Sequence, residues 1–76
     1  MFTRIASDPA ILSGKPCIKS TRISVEMILE WVASGASRDD IVKSYPQLTN
    51  LDVEEALNFA AQSLRNETIM TAEIPN

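Results

Sequence analysis

The sequence contains no histidine and only one cysteine, and each shortage excludes a class of chemistry. Without imidazole there is no histidine base, no catalytic triad and no histidine-containing metal site. A single thiol, Cys17, can neither close an internal disulfide nor build a zinc site, and it favours a reducing compartment. We interpret Cys17 as a small buried hydrophobe, and we expect no metal, no cofactor and no catalytic residue.

Long apolar runs are also missing. Runs such as Met27–Leu29 stop after three residues, whereas about 20 apolar residues are needed to span a bilayer. The first residues carry neither the apolar core nor the small-residue cleavage site of a secretory signal. We therefore expect a cytoplasmic protein with no membrane partner.

The chain is short, with 76 residues, and it predicts a single domain, 1–76. A chain of this size buries only about 60% of the surface that its unfolded form exposes. Its own core then supplies roughly 3–5 kcal/mol, so we expect a second copy or another partner to stabilise it. An enclosed substrate cleft of several hundred cubic ångströms or so is hard to build at this size, so we do not expect an enzyme.

Charge is divided unevenly along a chain whose net charge is −3. Residues 1–22 hold four cations and one acid, a net of +3, whereas residues 23–76 hold three cations and nine acids, a net of −6. The asymmetry indicates that the two parts face different partners.

The basic front, 1–23, contains short β-leaning pieces separated by proline and glycine. The pieces are Phe2–Ile5, Cys17–Lys19 and Thr21–Ile23. A turn at Ser13–Pro16 would let them pair, so we predict a two-stranded element.

The first helix is predicted at 24–34. Ser24 supplies an N-cap, and Gly35 suits the left-handed residue that commonly closes a helix. One apolar stripe has helical spacing and comprises Val25, Ile28, Leu29 and Val32.

Two further helices follow. Ser37 and Asp40 form a near-capping box for a helix of seven or eight residues that ends at Tyr45-Pro46. Thr49 caps a third helix, with Asp52 three residues on, which continues to about Arg65. Its apolar repeat is Leu51, Val53, Ala56, Leu57, Ala60, Ala61 and Leu64.

These elements predict a mainly α fold: a three-helix, helix-turn-helix domain of winged-helix-like type with a short N-terminal two-stranded β element. The three helices occupy 24–65, and a C-terminal tail with mildly β-leaning residues occupies 66–76. The layout is shared by many interaction domains that never touch DNA, so it does not fix the function.

The run from Asp8 to Val25, with its Gly-Lys-Pro-x-Ile-x-x-Thr-Arg-Ile string at 14–23, closely resembles the opening signature of domain-of-unknown-function family 433. A second block, Gly35 to Thr49, is similar to that family's second signature. The resemblance covers roughly residues 6–62. Ser20 stands where the family most often has glycine, so a positive φ at this turn would strain it mildly.

The resemblance implies a small helix-turn-helix protein that is usually paired with a neighbouring PIN-like nuclease toxin and treated as its antitoxin. The expectation of a nuclease partner rests on this resemblance alone, because the composition and spacing do not indicate one.

Lys15, Lys19 and Arg22 are the candidate phosphate-binding cluster, because cations on a strand ribbon neutralise phosphates. The alternative is a solvated, charged edge that blocks strand-to-strand aggregation. Arg22 has a further alternative, an ion pair with Glu26 or with an acid of the third helix.

The third helix offers Thr49, Asn50 and Asn58 as candidate DNA-binding residues, because amide side chains can hydrogen-bond to adenine edges. Acids in the same helix oppose this reading unless they point away from the phosphates. They are Asp52, Glu54 and Glu55.

Met27 and Trp31 lie off the main stripe of the first helix, where they either form an interface or complete the core. Ala60 and Ala61 are small enough to let another helix approach closely. These four are the candidate interface residues of a homodimer.

Two functions from different classes remain open. The first is a homodimeric DNA-binding antitoxin that represses its own operon and neutralises a nuclease partner. The second is a protein-interaction module with no DNA role, in which the same helices form a homodimeric docking platform.

Overall fold

The computed structural model describes residues 2–67, and it has the mainly α architecture that the sequence predicts. A two-stranded antiparallel sheet precedes three helices, and a short 3₁₀ helix, Leu12–Gly14, lies between the strands. The tail prediction for Thr68–Asn76 lies outside the described residues. The elements are β1 (Ile5–Ala6), β2 (Cys17–Ile18), α1 (Val25–Ala33), α2 (Arg38–Ser44) and α3 (Asn50–Glu67).

The predicted two-stranded element is present, but its strands are only two residues long. Ile5 pairs with Ile18, and Ala6 pairs with Cys17. Between the strands the chain forms the 3₁₀ helix instead of a simple hairpin turn. Cys17 is buried, as predicted, and its thiol donates a hydrogen bond of 3.3 Å to the Lys15 carbonyl oxygen.

A second, tighter hairpin follows β2 and carries the chain into α1. The amide of Ile18 donates to the Ile23 carbonyl oxygen at 2.9 Å, and a bridge joins Cys17 to Ser24. The turn closes with a bond of 3.1 Å from the Thr21 amide to the Ile18 carbonyl oxygen. We call residues 18–23 the basic hairpin.

The hydrophobic core draws on the basic hairpin and on all three helices. Its members are β-branched or small residues together with one leucine of the turn between α2 and α3. They are Ile18, Ile23, Val25, Ile28, Ile41, Leu48, Val53 and Ala56.

The caps of α1 and α2 form as the sequence predicts. The Ser24 hydroxyl accepts from the Met27 amide at 3.0 Å, and Gly35 follows α1 with a φ of +103°. At α2, the Asp40 amide donates to the Ser37 hydroxyl at 3.1 Å, and the Ser37 amide donates to an Asp40 carboxylate oxygen at 2.9 Å. This reciprocal pair completes a capping box.

The third helix has the same reciprocal arrangement at Thr49 and Asp52. The Asp52 amide donates to the Thr49 hydroxyl at 3.1 Å, and the Thr49 amide donates to Asp52 at 2.9 Å. The helix continues two residues beyond the predicted end at Arg65.

Ser20 adopts a φ of +64°, so the strain expected at this position is present. A side chain in the left-handed region costs roughly 1–2 kcal/mol, a cost that glycine avoids.

The Ser20→Gly variant should therefore raise the free energy of unfolding by about 0.5–1 kcal/mol in urea denaturation. Ser34→Gly is the matched control. Because Ser34 has a φ of −85°, that variant should lower stability, and equal losses in both variants would contradict the assignment.

The pKa of the Asp40 carboxyl is lowered, chiefly by the hydrogen bond from the Ser37 backbone N–H and then by the Ser37 side chain. A carboxyl whose pKa falls on folding stabilises the folded state above its unfolded pKa and loses that contribution as the pH drops.

Asp40→Ala should therefore destabilise the protein at pH 7, with the loss fading below an ordinary aspartate pKa of about 4. Urea denaturation across this pH range measures it. Asp39→Ala removes the same charge outside the capping box, and an equal pH dependence in both variants would refute the proposed cause.

Candidate nucleic-acid interface

Helix α2, the turn after it and helix α3 are the elements that the sequence predicts as a helix-turn-helix. Pro46 ends α2 at Tyr45, and the Leu48 amide donates back to the Tyr45 carbonyl oxygen at 2.9 Å. Leu48 is 1% exposed, so the turn is anchored in the core. This anchor fixes where α3 begins.

The N-terminal segment is attached to α3 by Arg4. Its guanidinium Nη1 lies 3.2 Å from Asp52 Oδ1, and its Nε lies 3.8 Å from Glu55 Oε1. The Arg4 backbone amide donates to the other Glu55 oxygen at 2.6 Å. We call this set of contacts the Arg4 clamp.

An aromatic contact reinforces the Arg4 clamp one turn further along α3. The rings of Phe2 and Phe59 meet edge-to-face, with centroids 5.3 Å apart. Such a pair contributes about 0.5–1.5 kcal/mol beyond its buried area. The segment before β1 is thus held to α3 by both charge and apolar contact.

The Arg4 clamp changes the charge that α3 presents. Asp52 and Glu55 have side chains only 11% and 17% exposed, because both face the N-terminal segment. Glu54 is more exposed and lies 3.4 Å from the Arg38 guanidinium. Each of the three acids that oppose phosphate binding therefore has a cation beside it.

The predicted base-contacting residues of α3 differ in availability. Asn50 and Asn58 are both exposed, with side chains free of the cap and of the Arg4 clamp. Thr49 is also exposed, but its hydroxyl already accepts the Asp52 amide.

The predicted cationic cluster divides into two parts. Lys15 points to α1, where its Nζ lies 2.9 Å from Glu26 Oε1. The hydrogen bond with Glu26 raises the pKa of Lys15, and the charges of Glu26 and Glu30 act in the same direction. Within one copy of the chain, Lys15 is therefore paired with an exposed acid of α1.

Lys19 and Arg22 remain on the basic hairpin, and both are exposed. Among the side chains that the structure describes, those of residues 2–65, neither finds an ion-pair partner. Of the partners foreseen for Arg22, Glu26 lies beside Lys15 instead. The acids Asp52, Glu54 and Glu55 of α3 lie beside Arg4 or Arg38. The Lys19 amide donates to the Arg4 carbonyl oxygen at 2.9 Å, so the hairpin is joined through Arg4 to the first turns of α3.

The four predicted interface residues do not share one surface. Trp31 is half-buried and stacks on Tyr45 with ring centroids 4.3 Å apart, in a groove of about 410 Å³ between α1 and α2. Met27 is also half-buried. Ala60 lines a different groove, between α1 and α3, and Ala61 is exposed.

No cluster of three potential metal-ligating side chains occurs in the part of the chain that the structure describes. Among the described helices, none has the length and apolar content to cross a membrane.

The family comparison covers both sequence blocks that carry the resemblance, Asp8 to Val25 and Gly35 to Thr49. A family model described as "Protein of unknown function (DUF433)" matches residues 5–60. This chain belongs to DUF433. No curated protein matches the sequence.

The DUF433 chain is also similar to a solved structure, the crystal structure of a DUF433 member protein from Anabaena variabilis. The two share 27% sequence identity, with a TM-score of 0.77 over 83% of the present chain. The match covers 62% of the Anabaena protein, so the present chain spans less than two thirds of that protein's length.

Sequence reasoning missed the Arg4 clamp. The contacting residues are 48 and 51 positions apart, and no periodic pattern connects a cation before β1 to acids of α3. The charge asymmetry of the sequence was a signal for this contact. A basic front and an acidic body can attract each other within one chain, and not only separate partners.

Proposed function

We propose that this DUF433 protein is a small cytoplasmic DNA-binding regulator of the antitoxin type. It binds DNA at its own operon and neutralises a PIN-like nuclease partner. The observation that carries the DNA part is the Arg4 clamp, which turns two acids of α3 inward and holds the basic hairpin beside that helix. The nuclease part rests on the family resemblance.

The proposed interface uses the two elements for different tasks. The exposed cations Lys19 and Arg22 neutralise phosphates, which supplies salt-dependent affinity without base specificity. Asn50 and Asn58 face a groove of the duplex, where an amide can hydrogen-bond to adenine. The basic hairpin thus acts as a wing that sets the register of α3.

A second function, a docking module without a DNA role, is favoured by a different observation. The helices leave two open grooves among the described residues, one beside Trp31 and Tyr45 and one beside Ala60. Open apolar grooves on a small domain are suited to protein partners.

Titration of a fluorescent duplex from the protein's own upstream region, at several salt concentrations, tests DNA binding. Lys19→Gln and Arg22→Gln should each weaken binding severalfold and reduce the slope of log K against log salt by about 0.9. Lys15→Gln is the matched control, because it removes the same charge from a residue already paired with Glu26, and it should leave the slope unchanged.

Two results would contradict the DNA proposal. One is the absence of salt-dependent binding to that duplex and to a scrambled duplex of equal length. The other is an equal loss in all three variants, which would indicate a response to overall charge rather than contact through the basic hairpin. A defined protein assembly without DNA affinity would favour the docking module.

A further inference from the structure

A groove between α1 and the C-terminal half of α3 is lined mainly by apolar side chains. Its volume is about 340 Å³, and its walls include Val25 and Leu29 from α1 and Phe59, Ala60 and Leu64 from α3. The basic hairpin and the Asn50 end of α3 contribute none of the residues that line it.

Two leucines make this groove unusual for a protein that remains a monomer. Leu64 is 72% exposed and Leu29 is 39% exposed, and both line the same concavity. A single exposed leucine needs no explanation, because much of any protein surface is apolar. Leu29 and Leu64 together with the ring of Phe59 form an apolar patch. Burying such a patch is favourable by about 25 cal/mol per Å² of apolar surface removed from water.

The charges at the rim indicate what covers it. The groove is bordered by one cation and one acid, Lys15 and Glu26, which lie 2.9 Å apart. A rim of one sign would select a partner of the opposite sign. A rim with one charge of each sign is self-complementary under two-fold symmetry, because Lys15 can face the partner subunit's Glu26 while the reciprocal pair forms across the axis.

Other occupants fit less well. A nucleic acid or an anionic membrane surface would meet Lys15 together with the Glu26 carboxylate 2.9 Å away, so this rim offers an anionic partner no net attraction. The basic hairpin carries two exposed cations, Lys19 and Arg22, that have no ion-pair partner among the side chains of residues 2–65.

We infer that this groove is the surface through which two copies of the chain associate. The Leu64 side chain of each copy enters the groove of the other and packs against its Leu29 and Ala60, while the Lys15 and Glu26 rims face each other. The small side chain of Ala60 allows the close approach that the sequence predicted for it.

The location has two consequences. The interface uses the α3 side of α1, so Trp31 and Tyr45 stay outside it in their own groove. The exposed Asn50 and Asn58 do not line the groove either, so a dimer formed through it would carry two copies of these residues. Association through this groove does not require DNA binding, and the oligomeric state of the protein tests it.

Sedimentation equilibrium of the full chain tests the association. The wild type should be a dimer at tens of micromolar. Leu64→Glu should raise the dimer dissociation constant at least tenfold, since it places an unpaired charge inside the groove of the other copy. The side chain is mostly exposed in one copy, so the helical fold should persist, as circular dichroism will report. Leu51→Glu is the matched control, because Leu51 is 56% exposed on α3 but lies outside the groove, and it should leave the constant unchanged.

A charge-swap experiment tests the rim. K15E leaves two acids at the rim and E26K leaves two cations, so each variant alone should dimerise more weakly than the wild type. An equimolar mixture of K15E and E26K should form a heterodimer more tightly than either homodimer, because an acidic rim then meets a basic one.

The inference is overturned if the wild type remains a monomer at several hundred micromolar. That is the result expected if residues 68–76 of the same chain, or an unrelated protein, cover the groove. It is equally overturned if Leu64→Glu and Leu51→Glu change dimerisation to the same extent, or if the mixed charge variants show no preference for each other.

Discussion

The contact between Arg4 and the two inward acids of α3 is the constraint on which the rest of the arrangement depends. The helices can form and cap themselves from local sequence, whereas the Arg4 contacts with α3 join residues 48 and 51 positions apart. Asp52 joins both systems, because it caps α3 through Thr49 and accepts the Arg4 guanidinium. Removing Arg4 would leave a nearly buried carboxylate without its cation, which is costly.

The Arg4 contact also decides which charges remain for a partner. A helix with Asp52, Glu54 and Glu55 near its start is a poor reader of DNA when the sequence is considered alone. Once two of those acids face Arg4 and the third lies beside Arg38, the exposed amides of α3 and the cations of the basic hairpin become the accessible polar groups. The DNA proposal therefore depends on internal neutralisation rather than on an excess of positive charge.

The parts of the fold that the sequence predicted are those set by neighbouring residues. Ser24, Ser37 and Thr49 cap helices through side chains within three positions of the amides they accept, so spacing alone locates the three helices. Ser20 shows the same locality, because one turn imposes its positive φ. The ion pair between Lys15 and Glu26 could not be predicted from neighbouring residues in this way. The contact of Lys15 with Glu26 depends on how the 3₁₀ helix packs beside α1. The contact of Arg4 with Asp52 joins residues 48 positions apart.

Arg4 couples the N-terminal segment to α3 through Asp52. A double-mutant cycle in urea denaturation with Arg4→Met, Asp52→Asn and the double variant tests it most directly. Because Asp52 is nearly buried, the account predicts a coupling free energy of about 1–2 kcal/mol. Arg22→Met combined with Asp52→Asn provides the reference pair and should be additive. Additivity of the Arg4 pair to within about 0.3 kcal/mol would contradict the account.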